Sequence, residues 1–220
     1  MPLNLQHLPK PELVIFDWDD TLIDNYAAIH AAINAARAAF GLPVWSLIET
    51  RENCRIALKE IFPIWFGSDW ENAQTIFYET FEAQHLQLLQ IKSGAEQLFQ
   101  QLQRAQIPLA INSNKKACYL REEITFLQWD AYFKVSIGAG DVAAGKPAPE
   151  GVYAICRCCD VMPCDAIWFV GDNSVDLTTA RNAGVTPVLI GVDHTTTADC
   201  MTFHALPNLA KYLGDFLGRS

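Results

Sequence analysis

Short apolar runs alternate with amphipathic stretches along most of the chain. Leu13–Phe16 is a four-residue apolar run ending at Asp17, and it predicts a buried strand. Residues 26–40 are Ala-rich, with Ile29, Ile33, Ala36 and Phe40 at helical spacing and Gly41 as the stop. Further strands are predicted over 108–111, 132–137, 166–170 and 187–190. Helices are predicted over 93–104, 115–126, 149–160, 173–183 and 206–217. Ser93 and Glu96 have the spacing of a capping box opening the first of these helices. Strands alternating with helices predict an α/β fold with a doubly wound parallel sheet.

The pattern changes between 42 and 91. Strand alternation disappears, and three of the six Trp fall there. Helices are predicted over 49–62 and 68–89, separated by Pro63 and Gly67. The expected division is therefore an α/β core from 1–24 and 92–220, with an inserted helical domain over 25–91.

In an open parallel sheet, ligands bind beyond the carboxyl ends of the strands. Asp17 and Asp19 follow the first predicted strand. Asn112, Ser113 and Asn114 follow the second, Asp141 and Lys146 the third, and Asp172 and Asp176 the fourth. Four distant segments thus bring carboxylates, a hydroxyl and a lysine to one edge. A knot of carboxylates is costly away from water unless a cation holds it. Oxygen donors from Asp17, Asp19 and Asp172 suit Mg²⁺, with Asp176 in support. A phosphoryl group fits beside them, its charge offset by Lys146 and its oxygens bonded by Ser113. Asp17 is placed to attack phosphorus, and Asp19 to pass a proton to the leaving oxygen.

These residues fall into four motifs: Asp17-Trp-Asp19-Asp-Thr21, the Ser113 of Ile-Asn-Ser-Asn-Lys, Gly145-Lys146-Pro-Ala-Pro149, and Gly171-Asp172-Asn-Ser-Val-Asp176. Their order resembles that of the haloacid dehalogenase-like superfamily, in its phosphatase branch, and bacterial phosphoglycolate-phosphatase-like hydrolases above all. The resemblance implies a Rossmann-like core with an α-helical cap as the insert. It also implies a Mg²⁺-dependent phosphatase acting on a small phosphorylated metabolite, 2-phosphoglycolate being one candidate, through an aspartyl-phosphate. Thr21, Asn114 and Arg51 are the expected substrate-binding residues, with Arg55 a further candidate on the insert. Position 20 is Asp where the family most often has Gly, and the segment from Glu49 to Asn53 lacks the glycine many relatives carry there.

The alternative on the same fold is a phosphomutase of the β-phosphoglucomutase type; a non-catalytic binding protein on this scaffold is a further rival. A dehalogenase needs no proton donor, so Asp19 argues against that chemistry. A net charge of −9 disfavours nucleic acid and anionic membranes as partners. With neither a bilayer-length apolar run nor a secretion signal visible, a cytoplasmic monomer or homodimer is expected. Seven Cys, an odd number, are expected to be reduced thiols. Cys156, Cys158, Cys159 and Cys164 fit no tetrahedral metal spacing and read as small core residues. His85, His194 and His204 stand apart from one another and read as structural or exposed.

Overall fold

The computed structural model describes residues 9–54, 58–191 and 200–218; Arg55 and His194 lie outside them. The chain forms two compact units, Met1–Ile23 with Ile91–Ser220, and Asp24–Gln90.

The first unit is a parallel sheet built from β1 (Leu13–Phe16), β4 (Leu109–Lys116), β5 (Phe133–Ala139), β6 (Ile167–Gly171), β7 (Thr186–Ile190) and β8 (Met201–Phe203). Its order is β5-β4-β1-β6-β7-β8. After β1 the chain builds outward through β4 and β5, then returns to β6 on the other side of β1. The strand order therefore reverses beside β1, the place where open parallel sheets bind ligands at their carboxyl ends. Every residue of β1, β6 and β7 is buried, as expected of strands with helices on both faces. Leu13, Ile15, Ala110, Ile167 and Phe169 join a core with Val152, Ile155 and Cys156 of α7 (Glu150–Cys159) and Ala180 and Ala183 of α8 (Ser174–Ala183). Phe16 and Trp168 pack their rings on Phe99 of α5 (Ala95–Arg104) and Phe216 of α9 (Leu206–Leu217).

The second unit is helical, with α1 (Tyr26–Ala39), α2 (Leu47–Asn53), α3 (Leu58–Phe66), a 3₁₀ turn at Gly67–Asp69 and α4 (Trp70–Leu88). Its core is aromatic. Phe62 meets Phe66 at 5.2 Å and Phe77 at 5.6 Å between ring centroids. Asn34 clasps the backbone of Trp45 with two bonds of 2.8 Å, which fixes the link from α1 to α2.

Several expected details differ. The helix expected over 49–62 is two helices, and Pro63 lies inside α3 rather than ending it. The stop falls at Gly67, whose φ of +57° suits a residue without a Cβ. Ser93 makes no capping box. Gly94 takes the N-cap in a left-handed conformation, and Glu96 instead accepts from the Trp129 indole at 3.0 Å. Working capping boxes occur at Ser46 with Glu49 and at Asn173 with Asp176. The three-residue β8 and the two-residue strands β2 (Ile23–Asp24) and β3 (Gln90–Ile91) are too short for a period to announce them. Of the expected core cysteines, Cys156 is buried, whereas Cys158 and Cys164 are exposed. His85 is buried and stacked on Phe81, and His204 is exposed.

Candidate active site

The first sheet strand delivers Asp17, whose backbone N–H donates to Val170 O at 2.8 Å. The chain then turns tightly. Leu22 and Ile23 both donate to Trp18 O, and Asp20 adopts φ +66°, a region that Asp tolerates better than most residues. This turn brings the Thr21 hydroxyl back to 3.3 Å from Asp17 Oδ2 and 3.5 Å from Asp172 Oδ1. Thr21 thus spans the ends of two neighbouring strands.

Asp172 follows β6 and leads into the capped start of α8. Asn173 accepts from the backbone N–H groups of Val175 and Asp176. The Asp176 Oδ2 in turn accepts from the N–H groups of Asp172 and Asn173, at 3.1 and 3.3 Å. Gly171 is needed at this bend: a Cβ there would lie 2.3–2.4 Å from the Asp176 side chain.

Lys146 joins the two ends. Its ammonium pairs with Asp17 Oδ1 and, at 2.7 Å, with Asp176 Oδ1. All three groups are buried. The Lys146 backbone is clasped by Asn114, which donates to its carbonyl at 2.9 Å and accepts from its N–H at 2.8 Å. Both ends of the Asn114 amide are thereby engaged in positioning the lysine. Ser113 is buried at the same edge, its Oγ accepting from Lys115 N–H at 3.1 Å.

Asp17, Asp172 and Asp176 each offer a carboxylate oxygen, all within 4.8 Å of one another. The sequence pattern pointed to Asp17, Asp19 and Asp172 as donors with Asp176 in support; Asp176 stands with Asp17 and Asp172, and the Asp19 carboxylate pairs with Lys115 at 2.7 Å. Burial, then the charge of Asp176, pushes the Asp17 carboxyl up to about 7 against the pull of Lys146. Burial, then the charges of Asp17 and Asp176, pushes Asp172 up to about 8. Burial works against the Lys146 charge, but Asp17 and Asp176 outweigh it and hold the ammonium protonated. One ammonium faces three carboxylates. A hard divalent cation fits this donor set, and Mg²⁺ matches its all-oxygen chemistry.

Other expected residues are engaged in ion pairs of their own. Asp141 forms a two-pronged pair with Arg121, at 2.7 and 3.0 Å. Arg51, in the helical unit, pairs with Asp24 at 2.5 Å and lies over the Tyr26 ring. The site also holds residues that the motifs did not single out. Glu123 of α6 (Ala117–Phe126) is fully buried and accepts from Lys115 and from the Trp18 indole. A signal existed for it: Glu123 shares the buried stripe of Tyr119, Leu120 and Ile124, where a carboxylate needs a partner.

A family model described as haloacid dehalogenase-like hydrolase matches residues 14–190. The chain belongs to the haloacid dehalogenase-like hydrolases. A phosphoglycolate phosphatase of Xylella fastidiosa is 30% identical over 190 residues, spanning 84% of this chain and 82% of that protein. One from Yersinia pestis is 31% identical over 181 residues, spanning 78% and 77%. Among solved structures, a superfamily hydrolase from Ehrlichia chaffeensis superposes with a TM-score of 0.71 at 26% identity, over 96% of this chain and 100% of that one. In this haloacid dehalogenase-like hydrolase, the matched region includes every residue of the acidic group and the lysine that joins it.

Proposed function

We propose that this hydrolase is a Mg²⁺-dependent phosphatase of small phosphorylated metabolites, working through a phosphoryl group carried on Asp17. The observation that carries the reading is the Lys146 ammonium held between Asp17 and Asp176, with Asp172 beside them. A buried ammonium in that place pulls the attacking carboxylate toward its ionised form and offsets the charge of an arriving phosphate. Mg²⁺, held by Asp17 and Asp172 with Asp176 in support, would supply further positive charge to the phosphoryl oxygens.

The chain's own groups have separable roles. Asp17 forms the new bond to phosphorus while the ester bond breaks. The leaving oxygen keeps the electron pair and takes a proton from Asp19. Water then attacks phosphorus, gives its proton to Asp19, and frees Asp17. Ser113 is the hydroxyl donor to a phosphoryl oxygen, and Thr21 steadies the carboxylates of Asp17 and Asp172. Asn114 acts by holding Lys146. The relatives named as phosphoglycolate phosphatases support an acidic substrate such as 2-phosphoglycolate. Arg51 is the proposed reader of its carboxylate, which would have to displace Asp24 from the guanidinium.

The test is release of inorganic phosphate from a panel of phosphorylated metabolites with Mg²⁺, with 2-phosphoglycolate among them. Turnover that Asp17→Asn abolishes supports the reading. Phosphate that only changes position on a sugar would assign a mutase instead.

A further inference from the structure

The Asp19 carboxylate is about one-third exposed, yet one of its oxygens is anchored in the interior: Lys115 Nζ donates to Oδ1 at 2.7 Å. The same ammonium donates to both oxygens of Glu123, at 2.8 and 2.6 Å. Glu123 is buried on α6, and its Oε2 also accepts from Trp18 Nε1 at 2.6 Å. Trp18 lies between Asp17 and Asp19, itself fully buried and packed edge-on against Trp129. Lys115, Glu123 and Trp18, from three segments, thus form a chain of bonds behind one oxygen of a side chain in a turn. A partly exposed turn carboxylate could be left to water, yet here it meets a buried ammonium that Glu123 holds from behind.

We propose that Lys115, backed by Glu123 and Trp18, is the positioning residue of the proton donor Asp19; this rests on the phosphatase reading above. The Glu123 charge already balances the Lys115 ammonium, so Asp19 meets an aimed N–H donor rather than an unopposed positive charge. That donor fixes Oδ1 as the unprotonated oxygen and leaves the proton on Oδ2. As the ester bond breaks, the Oδ2 proton passes to the leaving oxygen and negative charge develops on Asp19. The Lys115 bond then strengthens, an interaction larger in the transition state than in the ground state. The Ser113-Asn114-Lys115 run therefore serves three needs in turn: phosphoryl binding, the Lys146 backbone and the proton donor.

The test is kcat/KM along a series of substituted phenyl phosphates, from the good leaving group p-nitrophenol to the poor one p-methoxyphenol. Proton donation matters most for the poor leaving group. Lys115→Met should lose about 3-fold on p-nitrophenyl phosphate and about 30-fold on p-methoxyphenyl phosphate, in the manner of Asp19→Asn. Lys115→Met leaves Glu123 buried without its cation and can fail to fold. The charge-balanced double variant Lys115→Met/Glu123→Gln avoids this, because the amide oxygen still accepts from Trp18, and it should give the same graded loss. Equal losses across the series in a folded double variant, or no loss, would overturn the positioning role. If Asp19→Asn itself shows no gradation, the assignment of Asp19 as the acid falls, and this inference with it.

Discussion

Asp17 and Asp176 share one buried ammonium, and their chemistry differs through what else each touches. Asp176 is filled by backbone N–H groups from its own helix start, whereas the remaining side-chain partner of Asp17 is the weakly held Thr21 hydroxyl. The less satisfied carboxylate is the better nucleophile, so Asp17→Asn should fold normally and lose essentially all turnover. Turnover within a few-fold of the parent would assign the attack elsewhere. Arg51→Ala should lower kcat/KM for an acidic substrate such as 2-phosphoglycolate by ~1.5–3 kcal/mol relative to p-nitrophenyl phosphate. Equal effects on the two substrates would remove Arg51 from substrate reading. Position and residue type sufficed to place Asp17, Lys146 and Asp172 from the sequence, because strand ends are where a parallel sheet offers its polar groups. Asp176 was legible in the same way, four residues after Asp172, whereas the pairing of Asp19 with Lys115 joins residues 96 apart and is visible only in three dimensions.

Among the elements, the capping interactions show where local pattern and actual contact part. The sequences around Ser93 and Ser46 both have capping-box spacing, yet only Ser46 is bonded as one, with Ser46 N–H donating to Glu49 Oε2 at 2.7 Å. Ser46→Ala should therefore cost about 1 kcal/mol in urea unfolding, and Ser93→Ala no more than about 0.5 kcal/mol. The reverse ranking would contradict the assigned caps. The Ser93 misreading has a physical origin: the signal for a cap is local, but Glu96 is drawn to Trp129, thirty-three residues on. The long strands and helices were legible because each repeats its period several times. Boundaries near Pro63 and Gly67 were less so, since a proline in a short helix forfeits a bond that a neighbouring helix packing can outweigh. Gly171→Ala should abolish activity through the Asp176 contact while leaving the helical unit folded, as its own aromatic near-ultraviolet signal would report.

For the whole molecule, the buried acidic group makes stability depend on pH and cation together. The Asp17 and Asp172 carboxyls lie at about 7 and about 8 in the folded chain against 3.8 for an ordinary Asp. Between these limits the folded state binds more protons than the unfolded one, so stability falls as pH rises through this window. A bound divalent cation favours the ionised forms. In chelator the melting temperature should therefore drop from pH 5 to pH 8.5, and the gain on adding Mg²⁺ should be small at pH 5 and largest at pH 8.5. A Mg²⁺ gain that shrinks with pH would exclude the acidic group as the binding place.

The helical segment leaves the α/β unit after Ile23 and returns at Ile91. Just inside these limits, Lys92 N–H donates to Leu22 O at 2.9 Å, so departure and return lie side by side. To the sheet, the sixty-odd residues between are a loop whose ends are already joined, and lengthening such a loop costs little: each doubling adds about 0.6 kcal/mol. The chemistry at the strand ends is consequently insulated from the history of that loop. A chain built this way can take a longer or shorter helical segment at little entropic cost to the sheet that carries Asp17, Lys146 and Asp172.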